Sequence, residues 1–524
     1  MQREAGGERR SRVPILREVL ASLPFAVRVH GRDDIPVTGV SADSRTLTSG
    51  MIFVAVRGRR DDGHRYIPDA LARGARAIVS DQDPPMASAV AWVTVPDSRA
   101  ALGWLAAFFA GFPTRGCGLV GVTGTDGKTT TATLIAYLLR ASGQPVGLVS
   151  TVEIWLGDER RPNDTQHTTP PAAILQGLLA EMVQRGCRWA VLETSSHALD
   201  QWRVAGCLFD VGVFTNLTPE HLDYHGDLER YRQAKARLFA LLGQEPKAGI
   251  TPFGLLNADD PHSAAMAAAC PVTVVTYGLE QPAHYRVRRF GRSGEGMQVL
   301  LETPAGPVDL WSPLPGRFNV YNVAAAAAAA LQLGVAPMVL TKALRTFTGV
   351  PGRLQPVVMG QPFQVFVDFA HTPNALGAVL AALRPRTRGR LIVVFGHPGG
   401  RDAHNRPVLG RVAASMADLL ILTTDDPYDE DPEAILDQIE VGVRAAGRRP
   451  HRDFWRFPDR VEAIRAALRL AQPGDTVLIA GRGHERFTVV RGQRVPLDDV
   501  AVVEQTLREL AAESGPAGVA ASES

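Results

Sequence analysis

The strongest constraint on the fold is a glycine-rich turn between a strand-like segment and a helix-like segment. Residues 119–123 form a short apolar run, and the turn that follows consists of Gly124, Thr125, Asp126, Gly127, Lys128, Thr129 and Thr130. Glycines let backbone N–H groups approach a phosphate chain, and the following helix directs its positive end toward that chain. Lys128 adds a charge, and Thr129 adds a hydroxyl that can hold Mg²⁺. The turn therefore predicts a site for ATP and Mg²⁺.

One position departs from the general nucleotide-loop pattern. Val122 stands where G-x-x-x-x-G-K-[ST] has its first glycine, so an ordinary turn with an exposed lysine is the alternative. We favour the phosphate loop because a helical segment with one apolar face follows the turn. That face consists of Leu134, Ile135, Leu138 and Leu139.

The composition indicates a large and nearly neutral protein. Its 524 residues correspond to about three domains of roughly 150 residues each. The formal net charge is +2 and 45% of the residues are hydrophobic, a balance that favours neither a nucleic acid nor an anionic membrane as a partner. Partners must therefore be inferred from individual sites.

Several features are typical of a cytoplasmic protein. Residues 1–12 are charged and lack the apolar core of a signal peptide, and the alanine-rich residues 323–333 are too few to cross a bilayer. The cysteines show no metal-ligand spacing, and we interpret them as reduced packing residues. They are Cys117, Cys187, Cys207 and Cys270. We expect no integral membrane segment.

Strand-like runs alternate with helical patterns, which predicts an α/β fold with mainly parallel sheets. Glycine- and proline-rich breaks at residues 111–116 and 349–352 divide the chain. The predicted blocks are residues 1–112, 113–347 and 348–512. The small, polar residues 513–524 are predicted to form a disordered tail.

In the second block, polar residues follow two apolar runs. Glu193 comes directly after residues 189–192, and residues 215–225, with two histidines and two acids near their end, follow residues 211–214. Ligands of open parallel sheets bind beyond the carboxyl ends of the strands, so Glu193 is a candidate metal ligand. The two histidines, His221 and His225, and the two acids of the second cluster could coordinate a metal or contact the substrate. The alternatives are a solvated loop residue for Glu193 and helix capping for the second cluster.

The third block repeats this arrangement four times. Apolar runs at residues 363–367, 391–395, 419–422 and 476–479 are each followed by polar residues. These polar groups are Asp368 with His371, residues 396–402, Asp425 with Asp426, and residues 481–485. Parallel strands would bring all four groups to one edge of a sheet.

Many of these segments, in this order, resemble the Mur ligase family. The matching segments are Asp43-Ser44-Arg45, residues 124–130, Thr168-Thr169-Pro170, residues 193–197 with Gln201 and Arg203, residues 221–225, Lys235, residues 314–319 with Asn322, Gly352-Arg353, residues 368–371 and residues 481–485. The resemblance covers nearly the whole chain. It implies three domains, with a central P-loop ATPase domain and a C-terminal Rossmann-like domain.

Within the family, the chain is most similar to members that add the third amino acid of the peptidoglycan precursor. This resemblance implies an ATP-dependent amide ligase that works through an acyl phosphate. The implied partners are UDP-N-acetylmuramoyl-L-alanyl-D-glutamate and a free diamino acid, and we expect a monomer. The alternatives are a related ligase for another carrier, such as a folate, and a non-catalytic scaffold that binds the precursor.

The resemblance also implies residue roles. Catalysis is expected from Lys128, Glu193, His221 and Lys235, and metal binding from Thr129, Glu193, His221 and, if it is carbamylated, Lys235. ATP is expected to contact residues 124–130, Asn319, Asn322, Arg353 and Asp368. The UDP-linked substrate is expected to contact Ser44, Thr168, Thr169, Ser195, Gln201 and Arg203. The incoming amino acid is expected to contact Arg401, Asp425, Asp426, Tyr428, Gly481 and Glu485. Without the resemblance, Lys235 would be interpreted as an exposed helical lysine.

One departure from the family pattern bears on the amino acid that is added. Members that add meso-diaminopimelate carry Asp-Asn-Pro-Arg, and Tyr428 replaces that arginine in this chain. A phenol cannot form the bidentate pair with a carboxylate, and Asp426, Asp429 and Glu430 would suit an ammonium group. We therefore favour lysine or ornithine over meso-diaminopimelate. Helix capping by Asp431 is the alternative explanation for part of this acidity.

Two further departures are Asp126, which replaces an asparagine, and Arg482, which replaces a lysine.

Overall fold

The computed structural model describes residues 12–58, 61–85, 90–400 and 403–513. The chain divides into two compact units, the first formed by the residues up to Lys128 together with Gly143–Val275. The second is formed by Thr129–Ser142 and the residues from Thr276 onward. Both units combine helices with largely parallel sheets, which confirms the predicted α/β class.

The first unit begins with a small five-stranded sheet. Its elements are α1 Leu16–Leu20, β1 Arg28–His30, β2 Val40–Ser41, β3 Ile52–Val54, α2 Ile67–Ala72, β4 Ala77–Ser80, β5 Ala91–Thr94 and α3 Ser98–Phe109. The strand order is β1-β5-β4-β3-β2, and only β1 is antiparallel to its neighbour. Strands β3 and β4 are buried along their whole length, as expected for a parallel sheet covered on both faces.

A second sheet follows in the chain. Its elements are β6 Gly118–Thr123, α4 Lys128–Ala141, β7 Val146–Val149, β8 Glu153–Leu156, β9 Glu159–Pro162, α5 Ala172–Gln184, β10 Trp189–Glu193, α6 Ser196–Asp200, β11 Val211–Phe214, α7 Leu222–His225, α8 Leu228–Ala240, β12 Phe253–Asn257, α9 Ser263–Ala269 and β13 Thr273–Gly278. Within the first unit the strand order is β12-β11-β6-β10-β7-β8-β9. The five strands from β12 to β7 are parallel.

The register of this sheet places the predicted functional segments side by side. Glu193 at the end of β10 pairs with Val122 of β6, and Phe214 at the end of β11 pairs with Thr123. The carboxyl ends of β10 and β11 therefore lie on either side of the strand that leads into the phosphate loop.

The second unit contains an antiparallel meander and two long helices. These elements are β14 Tyr285–Ser293, β15 Gly296–Thr303, β16 Gly306–Ser312, α10 Arg317–Gln332 and α11 Pro337–Thr346. Helix α10 is rich in alanine, and its buried face extends from Asn319 to Ala330.

The rest of the second unit is a parallel sheet with helices on both faces. Its elements are β17 Gln355–Pro356, β18 Gln364–Asp368, α12 Pro373–Leu383, β19 Leu391–Phe395, α13 Asn405–Met416, β20 Leu419–Thr423, α14 Pro432–Ala445, β21 Phe454–Phe457, α15 Arg460–Leu470, β22 Thr476–Ala480, β23 Phe487–Val490, β24 Gln493–Pro496 and α16 Asp499–Glu513. The order is β17-β18-β22-β19-β20-β21, and only β17 is antiparallel. Strands β23 and β24 form a separate hairpin. All four apolar runs predicted in this block are strands that end at one edge.

Several predictions from the sequence can be compared with these elements. Asp431 caps α14 by accepting the N–H of Glu433, as the capping alternative required. All four cysteines are free thiols. Glu513, predicted to begin the disordered tail, instead ends α16, and the rest of that tail lies outside the described residues. Across the described ranges, no helix is long and apolar enough to cross a membrane.

A buried ion pair joins the starts of β6 and β11. Lys247 Nζ lies 2.6 Å from Asp210 Oδ2, and the two side chains are 8% and 2% exposed. The same ammonium donates to the carbonyls of Cys117 and Leu208, and Asp210 accepts the N–H of Leu119. The pair therefore connects segments that are far apart in sequence.

Asp210→Ala should destabilise the first unit strongly, because it leaves the Lys247 ammonium buried without its carboxylate. We expect the free energy of unfolding to fall by about 3–5 kcal/mol. The matched control is Glu245→Ala, which removes the exposed partner of Arg115 and should cost less than about 1 kcal/mol. Urea unfolding followed by tryptophan fluorescence measures both losses, and equal losses would contradict the assignment.

Candidate functional site

The phosphate loop is fixed by the residues that follow β11. The backbone N–H of Asp126 donates to Asn216 Oδ1 over 2.9 Å, and its carbonyl accepts from Thr215 Oγ1 over 2.7 Å and from Asn216 Nδ2 over 3.1 Å. Thr125 N–H donates to the Asn216 carbonyl over 2.8 Å. These hydrogen bonds therefore hold the backbone of the loop in one defined conformation.

Gly124 is required by the close approach of these two loops. Its φ is +148°, and a Cβ at this position would lie 1.9 Å from Thr215 Oγ1. Any side chain would force the loop away from the end of β11. The departure at Val122 has no such consequence, because Val122 lies inside β6 and is fully buried.

Two lysines meet at the start of the loop. Lys128 Nζ donates to the carbonyl of Thr125 over 2.7 Å, and Lys235 Nζ donates to the carbonyl of Gly124 over 2.5 Å. Lys235 is 1% exposed and lies over the ring of Tyr231, 4.3 Å from its centroid. Its interpretation as an exposed lysine is therefore wrong.

Burial dominates the electrostatics of Lys235. Desolvation lowers the pKa of its ammonium well below the ordinary value, and the nearby charge of Lys128 lowers it further. Glu220 and Asp126 act in the opposite direction but more weakly. An amine in this environment is more nucleophilic than a surface lysine, since a larger fraction of it is uncharged.

Glu193 is held in place by Thr151. The Glu193 side chain is buried, and its Oε2 accepts from the N–H of Thr151 over 2.7 Å and from the Thr151 hydroxyl over 2.9 Å. The Glu193 carboxylate is therefore oriented at the end of β10, beside the strand that leads into the phosphate loop. Thr151 was not identified from the sequence, because a threonine after a strand carries no distinctive motif.

The residues predicted to contact the UDP-linked substrate form one network around Glu193. The hydroxyl oxygens of Thr168 and Thr151 lie 3.0 Å apart, within hydrogen-bond distance, and Thr169 Oγ1 donates to the carbonyl of Glu193 over 2.8 Å. Arg203 donates to the carbonyl of Thr169 and to Gln201 Oε1, and Ser195 caps α6. The structure thus brings together Thr168, Thr169, Ser195, Gln201 and Arg203.

Ser44 lies in the N-terminal sheet region, where its side chain is buried. Its hydroxyl is hydrogen-bonded to Asp69 and lowers the pKa of that carboxyl. The neighbouring Asp43 carboxylate accepts from the guanidinium of Arg45 over 2.8 Å. Ser44 therefore helps to shape this loop, and its contact with a substrate stays a prediction.

His221 belongs to a cluster of aromatic side chains. It has a left-handed backbone with φ 56°, and its ring centroid lies 4.8 Å from that of His197. The ring of His197 also lies 4.1 Å from that of Tyr224, with the two planes tilted by 43°. His225, predicted with His221 as a candidate ligand, is instead bonded to Ser196 over 3.1 Å, and burial lowers its pKa to about 4. His225 therefore connects the segment after β10 to α7.

The predicted adenine and phosphate residues of the second unit are also ordered by hydrogen bonds. Asn319 donates to the carbonyl of Pro315 over 2.8 Å, and Asn322 donates to Asn319 over 3.0 Å. Arg353 Nη2 donates to Thr129 Oγ1 over 3.1 Å, and Thr129 and Thr130 are both buried. The Arg353–Thr129 bond joins two residues that were predicted to serve the same phosphate chain.

Asp368 ends β18 in a fully enclosed position. Its carboxylate accepts the N–H groups of Leu354 over 2.6 Å and Ala370 over 2.7 Å. Burial raises its pKa, and the charge of Arg353 opposes that rise. Asp368 holds the turn that carries Arg353, which gives it a structural role beside the predicted contact with ATP.

The residues predicted to bind the amino acid converge at the ends of β20 and β22. Asp425, Asp426 and Glu485 each place one carboxylate oxygen within 4.8 Å of those of the other two. Gly481 leaves room for Asp425, because a Cβ on it would lie 2.9 Å from Asp425 Oδ2. Arg401 lies outside the described residues. The four polar groups predicted to share one edge do so wherever they are described.

Two arginines alter the expected charge of this region. Arg482 Nη1 lies 2.5 Å from Asp426 Oδ1, and Arg406 pairs with both carboxylate oxygens of Glu430 at 2.8 and 3.0 Å. Asp426 and Glu430 are therefore each paired with an arginine, which partly neutralises the charge that they offer to an ammonium. Their contact with the amino acid stays a prediction. Neither pair could be predicted from the sequence, because the partners are separated by 24 residues or more.

A glycine-rich loop after a buried parallel strand, with two lysines and an oriented carboxylate beside it, defines a nucleotide-dependent α/β enzyme. Three family models match the chain. They are the Mur ligase family catalytic domain at residues 36–110, the Mur ligase middle domain at 122–330 and the Mur ligase glutamate ligase domain at 352–483.

The chain is similar to two curated proteins over almost its whole length. It is 43% identical to the UDP-N-acetylmuramyl-tripeptide synthetase of Roseiflexus sp. (strain RS-1) over 485 residues, which are 90% of this chain and 95% of that protein. It is 42% identical to the UDP-N-acetylmuramoyl-L-alanyl-D-glutamate--2,6-diaminopimelate ligase of Geobacillus kaustophilus (strain HTA426) over 495 residues, which are 94% of this chain and 99% of that protein.

A solved structure of a UDP-N-acetylmuramoyl-L-alanyl-D-glutamate--2,6-diaminopimelate ligase superposes with a TM-score of 0.67 at 33% identity. The match covers 95% of this chain and 100% of that one. The chain belongs to the Mur ligase family, and it is a ligase that joins an acid to an amino acid. The predicted fold and family are confirmed.

Thr151→Val should reduce turnover, because it removes the hydroxyl that orients Glu193 while it preserves side-chain shape. We expect kcat to fall about tenfold or more, since a hydrogen bond to a charged group contributes about 1.5–3 kcal/mol. Thr151→Ser keeps the hydroxyl and should remain close to the wild type. Steady-state phosphate release measures both variants, and an unchanged rate in Thr151→Val would show that Glu193 does not need this bond.

Proposed function

We propose that the chain is an ATP-dependent ligase that adds the third amino acid to UDP-N-acetylmuramoyl-L-alanyl-D-glutamate. The names of its relatives support this substrate. The observation that carries the proposal is the position of Lys128 at the carbonyl of Thr125, because it places positive charge where a triphosphate would enter the loop. Only four lysines occur in the chain, at Lys128, Lys235, Lys247 and Lys342, and two of them lie here.

The proposed reaction has two steps. An oxygen of the substrate's free carboxylate forms a bond to the γ-phosphorus of ATP, and the bond from that phosphorus to ADP breaks. The amine of the incoming amino acid then attacks the acyl carbon, loses a proton, and displaces phosphate that carries the carboxylate oxygen. Catalysis of this kind depends on alignment and charge neutralisation. Lys128 would supply the charge on the transferred phosphoryl group.

Mg²⁺ would be held by Glu193, Thr129 and His221, and when bound it would neutralise charge on the phosphates. Glu193 and Thr129 fit this ion best, because Mg²⁺ prefers oxygen ligands. Lys235 would serve as a carbamate. Its buried amine supports this proposal, since the uncharged amine is the form that combines with CO₂.

The remaining contacts are proposed from the same resemblance. Asn319 and Asn322 would lie near the adenine, Asp368 near the ribose and Arg353 near the phosphates. The network of Thr168, Thr169, Ser195, Gln201 and Arg203 would receive the sugar and peptide, and Ser44 would contact the UDP end. Arg401, Gly481 and Glu485 would bind the amino acid, together with Asp425, Asp426 and Tyr428.

For the amino acid itself we propose lysine or ornithine. Tyr428 supports this choice, because a phenol cannot form a bidentate pair with a distal carboxylate. Asp426 and Glu430 support it less, since each is paired with an arginine. The second candidate is 2,6-diaminopimelate, favoured by the names of several relatives that are about 40% identical.

Turnover with single amino acids distinguishes the two candidates. The purified chain, ATP, Mg²⁺ and the UDP-linked dipeptide should release phosphate with lysine or ornithine at a rate well above that with meso-diaminopimelate. The mass of the product identifies the residue added. Brisk turnover with meso-diaminopimelate alone would overturn the choice of lysine or ornithine and leave the ligase proposal intact.

Lys128→Ala should abolish turnover without unfolding the protein, because the lost ammonium would stabilise charge in the transition state and not the fold. We expect a loss of about 10³-fold or more in kcat, comparable with the removal of a strong electrostatic contact. Lys342→Ala is the matched control, since Lys342 is exposed on α11 and should be neutral. Thermal melting checks the fold, and near-normal rates in Lys128→Ala would contradict the site.

A further inference from the structure

Arg482 is a completely buried arginine at the carboxyl end of β22. Its Nη1 lies 2.5 Å from Asp426 Oδ1 and 3.4 Å from Asp425 Oδ1, and its Nη2 lies 3.7 Å from Glu485 Oε2. The same nitrogen donates to the carbonyl of Phe487. One guanidinium therefore contacts all three acids of the amino-acid region and the first residue of β23.

These contacts extend to Tyr428 through the β23–β24 hairpin. The Asp426 oxygen that receives Arg482 also accepts the N–H of Val489 over 3.0 Å. Tyr428 N–H donates to the carbonyl of Val489 over 3.0 Å, and Arg491 N–H donates to the carbonyl of Tyr428 over 2.7 Å. The hairpin therefore hydrogen-bonds to both the N–H and the carbonyl of Tyr428. Arg482 in turn holds the hairpin through the carbonyl of Phe487.

The backbone of Tyr428 needs such support. Its φ is +52°, a left-handed conformation that costs an aromatic residue free energy unless its surroundings impose it. The bonds from Val489 and Arg491 supply that constraint. Movement of the hairpin would release Tyr428, the residue on which the amino-acid proposal depends.

A lysine could not make the same set of contacts. Its ammonium is one point charge, whereas the planar guanidinium presents donors in several fixed directions. Here those directions serve Asp426 on one side and the Phe487 carbonyl on another. The arginine at this position therefore changes how the hairpin is attached as well as where the charge lies.

Arg482 also influences the pKa of Glu485. Burial and the nearby Asp425 raise the pKa of Glu485 to about 8, while Arg482 lowers it; Asp426 raises it and Arg460 lowers it. Arg460 is occupied elsewhere, because it pairs with Asp499 at 2.7 Å and donates to the carbonyl of Ala480. Arg482 is therefore the cation that most limits the rise of this pKa.

We propose that Arg482 is a positioning residue that determines amino-acid specificity, because it joins the acids after β20 and β22 to the hairpin that holds Tyr428. This inference rests on the proposed ligase function and adds a determinant for the third substrate. It assigns no role to Arg482 in the binding of ATP or of the UDP-linked dipeptide.

The test compares Arg482→Lys, which keeps a charge, with Arg482→Met, which removes it. In Arg482→Lys we expect KM for the amino acid to rise about tenfold, the effect of losing one charge-assisted hydrogen bond. The preference between lysine and meso-diaminopimelate should weaken by a similar factor, while KM for ATP and for the UDP-linked dipeptide stays unchanged. If Arg482 only supported the fold, its substitution would change the KM values for the amino acid, ATP and the UDP-linked dipeptide together.

The pH profile provides a second readout. If ionised Glu485 receives the ammonium, kcat/KM for the amino acid should rise through pH 8 in the wild type. In Arg482→Met this limb should move to higher pH, because the cation that lowers the pKa of Glu485 is gone. In Arg482→Lys the limb should stay close to the wild-type position.

The matched control is Arg456→Lys, since Arg456 also contacts three carboxylates, those of Glu433, Asp437 and Glu440. It should leave every kinetic constant unchanged. A uniform change of all three KM values in Arg482→Lys, or an unchanged amino-acid preference, would overturn the inference. A wild-type enzyme without turnover on any diamino acid would instead overturn the proposed function.

Discussion

The hydrogen bonds between the phosphate loop and the residues after β11 are the interaction on which the rest of the site depends. Thr215 and Asn216 bind the backbone of Asp126 from both directions, and Gly124 permits the contact because it has no side chain. The adjacent parallel strands fix where these loops start. A loop preshaped in this way loses little conformational entropy when a triphosphate binds.

Lysine and arginine occupy different kinds of position in this chain. Lysine is kept at four positions, although lysines and arginines together number 56. Lys235 and Lys247 are both deeply buried, and each donates to backbone carbonyls. A compact ammonium fits such positions, whereas a guanidinium would need more space and more acceptors. Arginine instead occupies positions such as 406 and 482, where several acceptors surround a planar group.

Much of this arrangement could be predicted from the sequence. The strands that end at Glu193, Phe214 and Asp368 are continuous apolar runs bounded by polar residues, so their ends are marked locally. The partners of these residues could not be predicted. Thr151 reaches Glu193 across 42 positions, and Arg482 reaches Asp426 across 56, so only the tertiary fold brings them together. The same holds for the burial of Lys235, whose helix exposes other residues of similar polarity.

In the proposed reaction, the substrate's carboxylate becomes an acyl phosphate before the amide forms. The most direct measurement uses UDP-linked dipeptide with ¹⁸O in both oxygens of its reacting carboxylate, together with ATP and the preferred amino acid. If the carboxylate is phosphorylated first, the released phosphate carries one ¹⁸O and the product amide keeps the other. Unlabelled phosphate formed together with the product would contradict it, because the phosphoryl group would then never have been bonded to the carboxylate.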